Sequence, residues 1–150
     1  MLAEAPLHRD DLDGPIVRAW GWTALTRRGR THMDQLLRSL ERRGELQLRG
    51  DFVWRGDQTP DTFKTFRIPK EGPPREADRI PPEEIASAMA AVLHASIALD
   101  EASLLRETAR ILGYRRVTAR TTEALRVGLP QLKARHPGCD YEGGYRWVKE

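Results

Sequence analysis

The 150-residue sequence predicts a helix-rich α+β fold in which one structural plan is used twice. Three observations carry that expectation. Two segments, about 7–55 and 99–148, align with an offset of 92, which places Leu12 on Leu104, Val17 on Ala109, Trp20 on Leu112, Gly21 on Gly113 and Trp22 on Tyr114. The register runs on through Arg28 on Arg120, Met33 on Leu125, Leu37 on Leu129 and Leu40 on Leu132. One extra residue then brings Phe52 onto Tyr145 and Trp54 onto Trp147. Secondly, each copy reads as two stretches of helical apolar spacing followed by two short strand signals about a glycine turn. Thirdly, the stretch between the copies is rich in Pro, Gly and charge, as a linker would be.

The second copy is the fuller one. Pro81-Pro82-Glu83-Glu84 opens a helix, with proline in the first turn and acids at the positive end of the dipole, and Ile85, Met89, Val92 and Leu93 give it an apolar face to about His94. Ser96-Ile97-Ala98 is a candidate short strand. Asp100 caps a helix that carries Leu104, Leu105, Ala109 and Leu112 and ends at Gly113. A further helix is expected over about 118–135, with Leu125, Leu129 and Leu132 inward and Pro130 marking a kink or an early end. Strands over about 139–142 and 145–148 flank Gly143-Gly144. In the first copy a helix ends at Trp20-Gly21, its start placed late by Gly14-Pro15 with Asp13 as cap, and a second covers about 27–43. Strands over 45–49 and 52–55 flank Gly50-Asp51. Helix, short strand, helix, turn, helix and hairpin is the order of a winged helix-turn-helix. The expected domains are a winged-helix-like unit at 1–57 with its leading helix missing or atypical, a partly extended linker at 58–79 holding Phe63, Phe66 and Ile68, and a complete winged-helix unit at 80–150.

Within this frame Ile80-Pro81-Pro82-Glu83-Glu84-Ile85-Ala86 and Ala109-Arg110-Ile111-Leu112-Gly113-Tyr114-Arg115-Arg116 are informative. They resemble the winged-helix domain of unknown function at the C-terminal end of large bacterial superfamily-one helicase-like proteins. Gly113, Tyr114, Arg116 and Arg120 match that pattern, whereas Val117 and Thr118 depart from its small polar residues. The resemblance covers about 80–149 best. It implies a helper domain of a helicase-like DNA-processing or defence system and assigns no catalytic residue.

The net charge of +3 is only mildly basic, so it does not by itself indicate a nucleic-acid partner. Arginine accounts for 21 of the 25 cations, a bias that phosphate recognition and a GC-rich genome both explain. The placement of the charge says more. In a helix-turn-helix the second helix enters the major groove, and its early residues reach base edges. Those positions hold Arg27, Arg28, Arg30, Thr31, His32, Gln35 and Arg38 in the first copy. In the second they hold Thr118, Arg120, Thr121, Thr122 and Arg126, with Arg115 and Arg116 in the preceding turn placed for phosphates. From 27 to 43 there are six cations against two acids, and from 115 to 135 six against one. Arg49 and Arg55 in the first hairpin and Arg146 and Lys149 in the second are candidate wing contacts. Trp54 and Trp147 are read as core aromatics beneath the hairpins in preference to base-stacking surfaces, and Trp20 and Trp22 as core or interdomain packing.

The expected function is therefore a non-enzymatic module that binds duplex DNA mainly through backbone phosphates, in or beside a helicase-like machine. The alternative is a winged-helix module for protein interaction or homodimerisation without DNA contact. Four dispersed histidines and the single Cys139 offer neither a metal cluster nor a partnered nucleophile, and there is no phosphate loop or dinucleotide fingerprint. No cofactor, no metal and no membrane partner are expected. A lone cysteine and the lack of a long apolar run or a leader fit a cytoplasmic location.

Overall fold

The computed structural model describes residues 4–148. The chain forms the expected helix-rich α+β class: six α-helices and two three-stranded antiparallel sheets among the described residues. It divides into two compact units after Thr59. Among the described residues no helix is long and apolar enough to cross a membrane.

The first unit runs β1 Leu7–His8, α1 Asp10–Ala19, α2 Arg27–Arg42, β2 Leu46–Arg49 and β3 Phe52–Arg55. Its sheet order is β1-β3-β2. Leu12 and Ile16 on α1, Met33 and Leu37 on α2, and Leu46 and Val53 on the strands form its core, each helix supplying an i, i+4 pair. These six clustered side chains make a thin core, with Trp54 buried beside it, so the polar joints of this unit matter to its stability. The short strand β1 has no counterpart among the expected elements: only two residues pair, too few for any periodicity to register. Helix α1 starts at Asp10, earlier than the Gly14-Pro15 pair suggests. Asp10, Asp11 and Asp13 favour an early start at the positive end of the helix dipole, and burial of Leu12 offsets the single bond that Pro15 cannot make.

The second unit contains α3 Pro82–His94, β4 Ala98–Leu99, α4 Glu101–Ile111, α5 Ala119–Leu125, α6 Gly128–Arg135, β5 Asp140–Tyr141 and β6 Gly144–Arg146, with sheet order β4-β6-β5. Its core is larger and centres on α3, which presents Ile85, Met89 and Leu93 to Leu104, Leu105, Leu125 and Leu132. The single helix expected over 118–135 is two helices. Pro130 has no N–H to donate and its ring would meet the carbonyl of Arg126, so the chain breaks at Arg126–Val127 and restarts with Pro130 in the first turn of α6.

The joints of the two units match residue for residue. Gly21 and Gly113 both take positive φ, +69° and +102°. In each, the glycine N–H donates to the carbonyl three residues back and the following aromatic's N–H to the one five back: Trp22 to Val17 at 2.9 Å, Tyr114 to Ala109 at 3.1 Å. This is the Schellman closure of a helix. Thr26 and Thr118 then cap the next helix, accepting from the amides of Gly29 at 3.1 Å and Thr121 at 3.2 Å. The offset of 92 also holds in the sheets, where Leu7 pairs with Val53 and Leu99 with Tyr145. The hairpin alignment therefore needs no extra residue. Tyr145 is the counterpart of Val53, and Trp54 and Trp147 are not equivalents. A slip of one residue changes the face a strand residue occupies. Trp54 is fully buried opposite Gln47, while Trp147 packs against the second core with its ring against His94 and His136, centroids 5.1 and 5.0 Å away.

The expected linker, 58–79, joins the second unit from Pro60 onward. Buried polar groups on α3 and α6 tie it down. The guanidinium of Arg135 donates to the carbonyls of Pro60 at 2.7 Å and of Phe63, and the Ser87 hydroxyl donates to the Phe63 carbonyl at 2.7 Å. The fully buried Glu84 accepts from the Arg67 amide at 2.8 Å and from the Arg67 and Arg75 guanidinium groups at 3.2 and 2.5 Å. The Tyr114 hydroxyl donates to the Arg75 carbonyl. Burial pushes the Tyr114 phenol up to about 12, so it stays a donor across the physiological range. Phe66 packs on the core, whereas Ile68 remains exposed.

Candidate nucleic-acid interface

Helix α2 separates its chemistry by face. Gly29, Met33 and Leu37 repeat every four residues and face the core. The opposite arc carries Arg27, Arg28, Thr31, His32, Gln35, Arg38 and Arg42, all exposed. The two acids of this helix lie off that arc and are engaged elsewhere. Asp34 pairs with Arg9, and the Glu41 carboxylate accepts from the Leu48 amide at 3.1 Å. Arg30 stands at the flank, 3.7 Å from Asp13. The arc opposite the core is thus cationic and polar, with Arg27, Arg28, Arg38 and Arg42 free of any ion-pair partner among the described residues, while Leu36 (39% exposed) and Glu41 are exposed outside it.

The second unit is organised differently. Thr118, Arg115, Arg116 and Arg120 are exposed at the start of α5. Thr121 and Thr122 are half-buried, and their hydroxyls turn to the helix itself: Thr121 to Thr118 at 3.0 Å, Thr122 to the Ala119 carbonyl at 3.0 Å. Arg126 is bound to Glu123 at 2.9 Å and to Glu101. Arg135, one of the cations counted on this stretch, is spent on Pro60 and Phe63, and Lys133 lies 3.9 Å from Asp140. Arg115, Arg116 and Arg120 remain as the open cations. Sequence reading overlooked Arg106 on α4, which borders the same shallow groove as Arg115 and Thr118. Its position on the preceding helix hid it, because helix-turn-helix logic directs attention to the following one.

The hairpins offer less. Arg49 and Arg55 are half-buried, and Arg55 pairs with Asp57 at 2.9 Å. Arg146 is exposed with its guanidinium over the Tyr141 ring, 5.5 Å from the centroid. Lys149 lies outside the described residues.

Trp20 and Trp22 correct the core expectation: they are 44% and 45% exposed. Together with Thr26, Arg28, Thr31, His32 and Gln35, Trp22 lines a shallow groove at the start of α2. Among the described residues no group of three or more His, Cys, Asp or Glu is disposed to hold a metal ion, and Cys139 is buried and unpaired. Comparison with known protein families, curated proteins and solved structures finds no match for this chain.

Proposed function

We propose that the two units are winged helix-turn-helix modules and that the chain is a non-enzymatic DNA-binding accessory, contacting duplex DNA mainly through backbone phosphates. The observation that carries this reading is the exposed face of α2, where Arg27, Arg28, Arg38 and Arg42 stand without a facing acid. A run of unpaired guanidinium groups on one helix costs self-repulsion that a protein surface normally relieves with interspersed acids, and a phosphate backbone relieves it instead. Helix α5 supplies a second, smaller cluster in Arg115, Arg116 and Arg120. The resemblance read in the sequence over about 80–149 suggests a helicase-like DNA-processing or defence system as the setting. A protein-docking or dimerisation module is the second reading, favoured by the exposed Trp20 and Trp22.

Fluorescence anisotropy on a labelled random duplex separates the two. Arg28→Ala and Arg120→Ala should each weaken binding about fivefold, as expected for loss of a phosphate contact, and the double variant by the product. Arg55→Ala removes a cation already held by Asp57 and should change affinity by less than about twofold. Equal effects of all three variants would contradict the assignment of the contact face.

A further inference from the structure

Trp20 and Trp22 are built onto the turn between α1 and α2 with little freedom. The Schellman closure at Gly21 fixes the backbone of both, and the Trp22 amide donates to the Val17 carbonyl at 2.9 Å. Their rings meet edge to face, with centroids 4.9 Å apart and planes at 72°, and the Trp20 ring lies 6.4 Å from that of His32. Trp22 also rests on Gly29. A Cβ there would come within 3.3 Å of Trp22 Cζ3 and 3.1 Å of Leu25 Cδ1. Glycine inside a helix costs roughly 0.5–1 kcal/mol relative to alanine, and here the space it leaves is occupied by the Trp22 ring.

The other unit shows that the fold does not require exposed aromatics at this turn. The matching positions are Leu112 and Tyr114. Leu112 is 2% exposed, and Tyr114 is half-buried with its hydroxyl donating to the Arg75 carbonyl. The same closure thus serves inward packing in one unit and carries two open indole surfaces in the other. An edge-to-face pair leaves ring face uncovered, and the surrounding groups are Arg28, Thr31, His32 and Gln35, with Arg27 on the same helix turn. Apolar planes beside cations and hydrogen-bonding groups fit a nucleobase with its phosphate, since every base has a π-face and every linkage a negative charge. An apolar protein segment would make no use of that basic border.

We infer that Trp20, Trp22 and His32, bordered by Arg28 and Gln35, form a stacking platform for an unpaired base, so that the first unit holds single-stranded nucleic acid or a duplex end where the strands part. The inference rests on the reading that the α2 face meets nucleic acid. It adds a strand preference that belongs to the first unit alone.

The test uses the full chain and three fluorescein-labelled probes: a blunt duplex, an oligo-dT of equal length, and the duplex with a dT overhang. Trp20→Ala/Trp22→Ala should weaken binding of oligo-dT and of the overhang about tenfold or more, the effect of losing one or two base stacks. Blunt-duplex binding should change by less than about twofold. Gly29→Val keeps both rings but displaces Trp22, and it should reproduce much of the loss. Oligo-dT should also quench the tryptophan emission of the wild-type chain, a readout that needs no variant to fold. Retained duplex binding with oligo-dT affinity and emission both unaffected overturns the platform alone. Absence of binding to all three probes overturns the nucleic-acid reading with it. Self-association abolished by the double substitution would assign the pair to a contact between copies and overturn the platform.

Discussion

Replacing Glu84 with glutamine is expected to destabilise the second unit by about 3 kcal/mol, the lower end of what breaking a buried ion pair costs. The carboxylate is fully buried and accepts from the Arg67 amide at 2.8 Å, Arg67 Nη2 at 3.2 Å, Arg75 Nη1 at 3.1 Å and Arg75 Nη2 at 2.5 Å. Glutamine keeps the shape but offers one acceptor oxygen in place of two, and an amide N–H that faces donors. The two arginines are partly exposed, so their charges regain some hydration when the carboxylate is lost, which keeps the cost from the upper end of the range. Segment 60–79 loses its anchor at the same time. Burial alone would raise the Glu84 carboxyl, but the hydrogen bonds and charge of Arg75 and then Arg67 outweigh it and hold the group below its ordinary value of 4.5. The folded chain therefore binds this proton more weakly than the unfolded chain does. The contribution of Glu84 is complete above the unfolded value and fades as pH falls through the lower, folded value. Urea denaturation of the full chain at neutral pH reads the loss, and exchange of α3 and α6 amides assigns it to this unit. Glu84→Gln should also flatten the part of the acid dependence that this carboxyl supplies. An unchanged midpoint at neutral pH would show that the clamp contributes nothing net.

Gly128→Val is expected to cost about 3 kcal/mol or more by overpacking. Gly128 begins α6 where that helix crosses α3, and a Cβ there would lie 2.5 Å from Ile85 Cγ2, 2.9 Å from Ile85 Cβ and 3.3 Å from the Ala86 amide nitrogen. Ile85 is fully buried and cannot retreat. Even alanine should be destabilising here, because its helix-propensity gain of about 1 kcal/mol is smaller than the cost of parting α3 from α6. Gly14 in α1 is the internal comparison. Its nearest neighbour would be the end of the flexible Arg18 side chain at 3.4 Å, so Gly14→Ala should stabilise by roughly 0.5–1 kcal/mol. Equal effects at the two glycines in thermal unfolding would remove the argument that the α3–α6 crossing is glycine-dependent.

The parts of this fold that were legible in the sequence are those decided within a few residues. Asp100 caps a helix because its side-chain oxygen reaches an amide three residues on, and Gly21 and Gly113 end helices because positive φ suits glycine. The parts that were not legible depend on distant partners. Glu84 reads as an acid at a helix start, yet it is held by arginines 9 and 17 residues upstream that no local pattern connects to it. For the same reason the segment after Pro60 looks like a linker, and Arg135 like one more surface cation. The hairpin slip arose from two aromatic-x-Trp spellings that match while their strand registers do not. In the candidate site the α2 stripe was legible from helical spacing, but its lack of acids was not, because only the structure turns Asp34 toward Arg9 and Glu41 toward Leu48. The core reading of Trp20 and Trp22 failed because the aromatic beside the helix-ending glycine is half-buried at Tyr114 but stands open in the first unit, a difference that no local pattern marks.

The measurement that bears most directly on the proposed function is the salt dependence of duplex affinity for the wild-type chain, followed by anisotropy between about 50 and 200 mM salt. If about six phosphates are contacted through α2 and the start of α5, affinity should fall roughly a thousandfold over that range, and a few tens of fold if a single unit makes about three contacts. A flat salt curve, or no binding at the lower salt, would contradict a phosphate-directed DNA module.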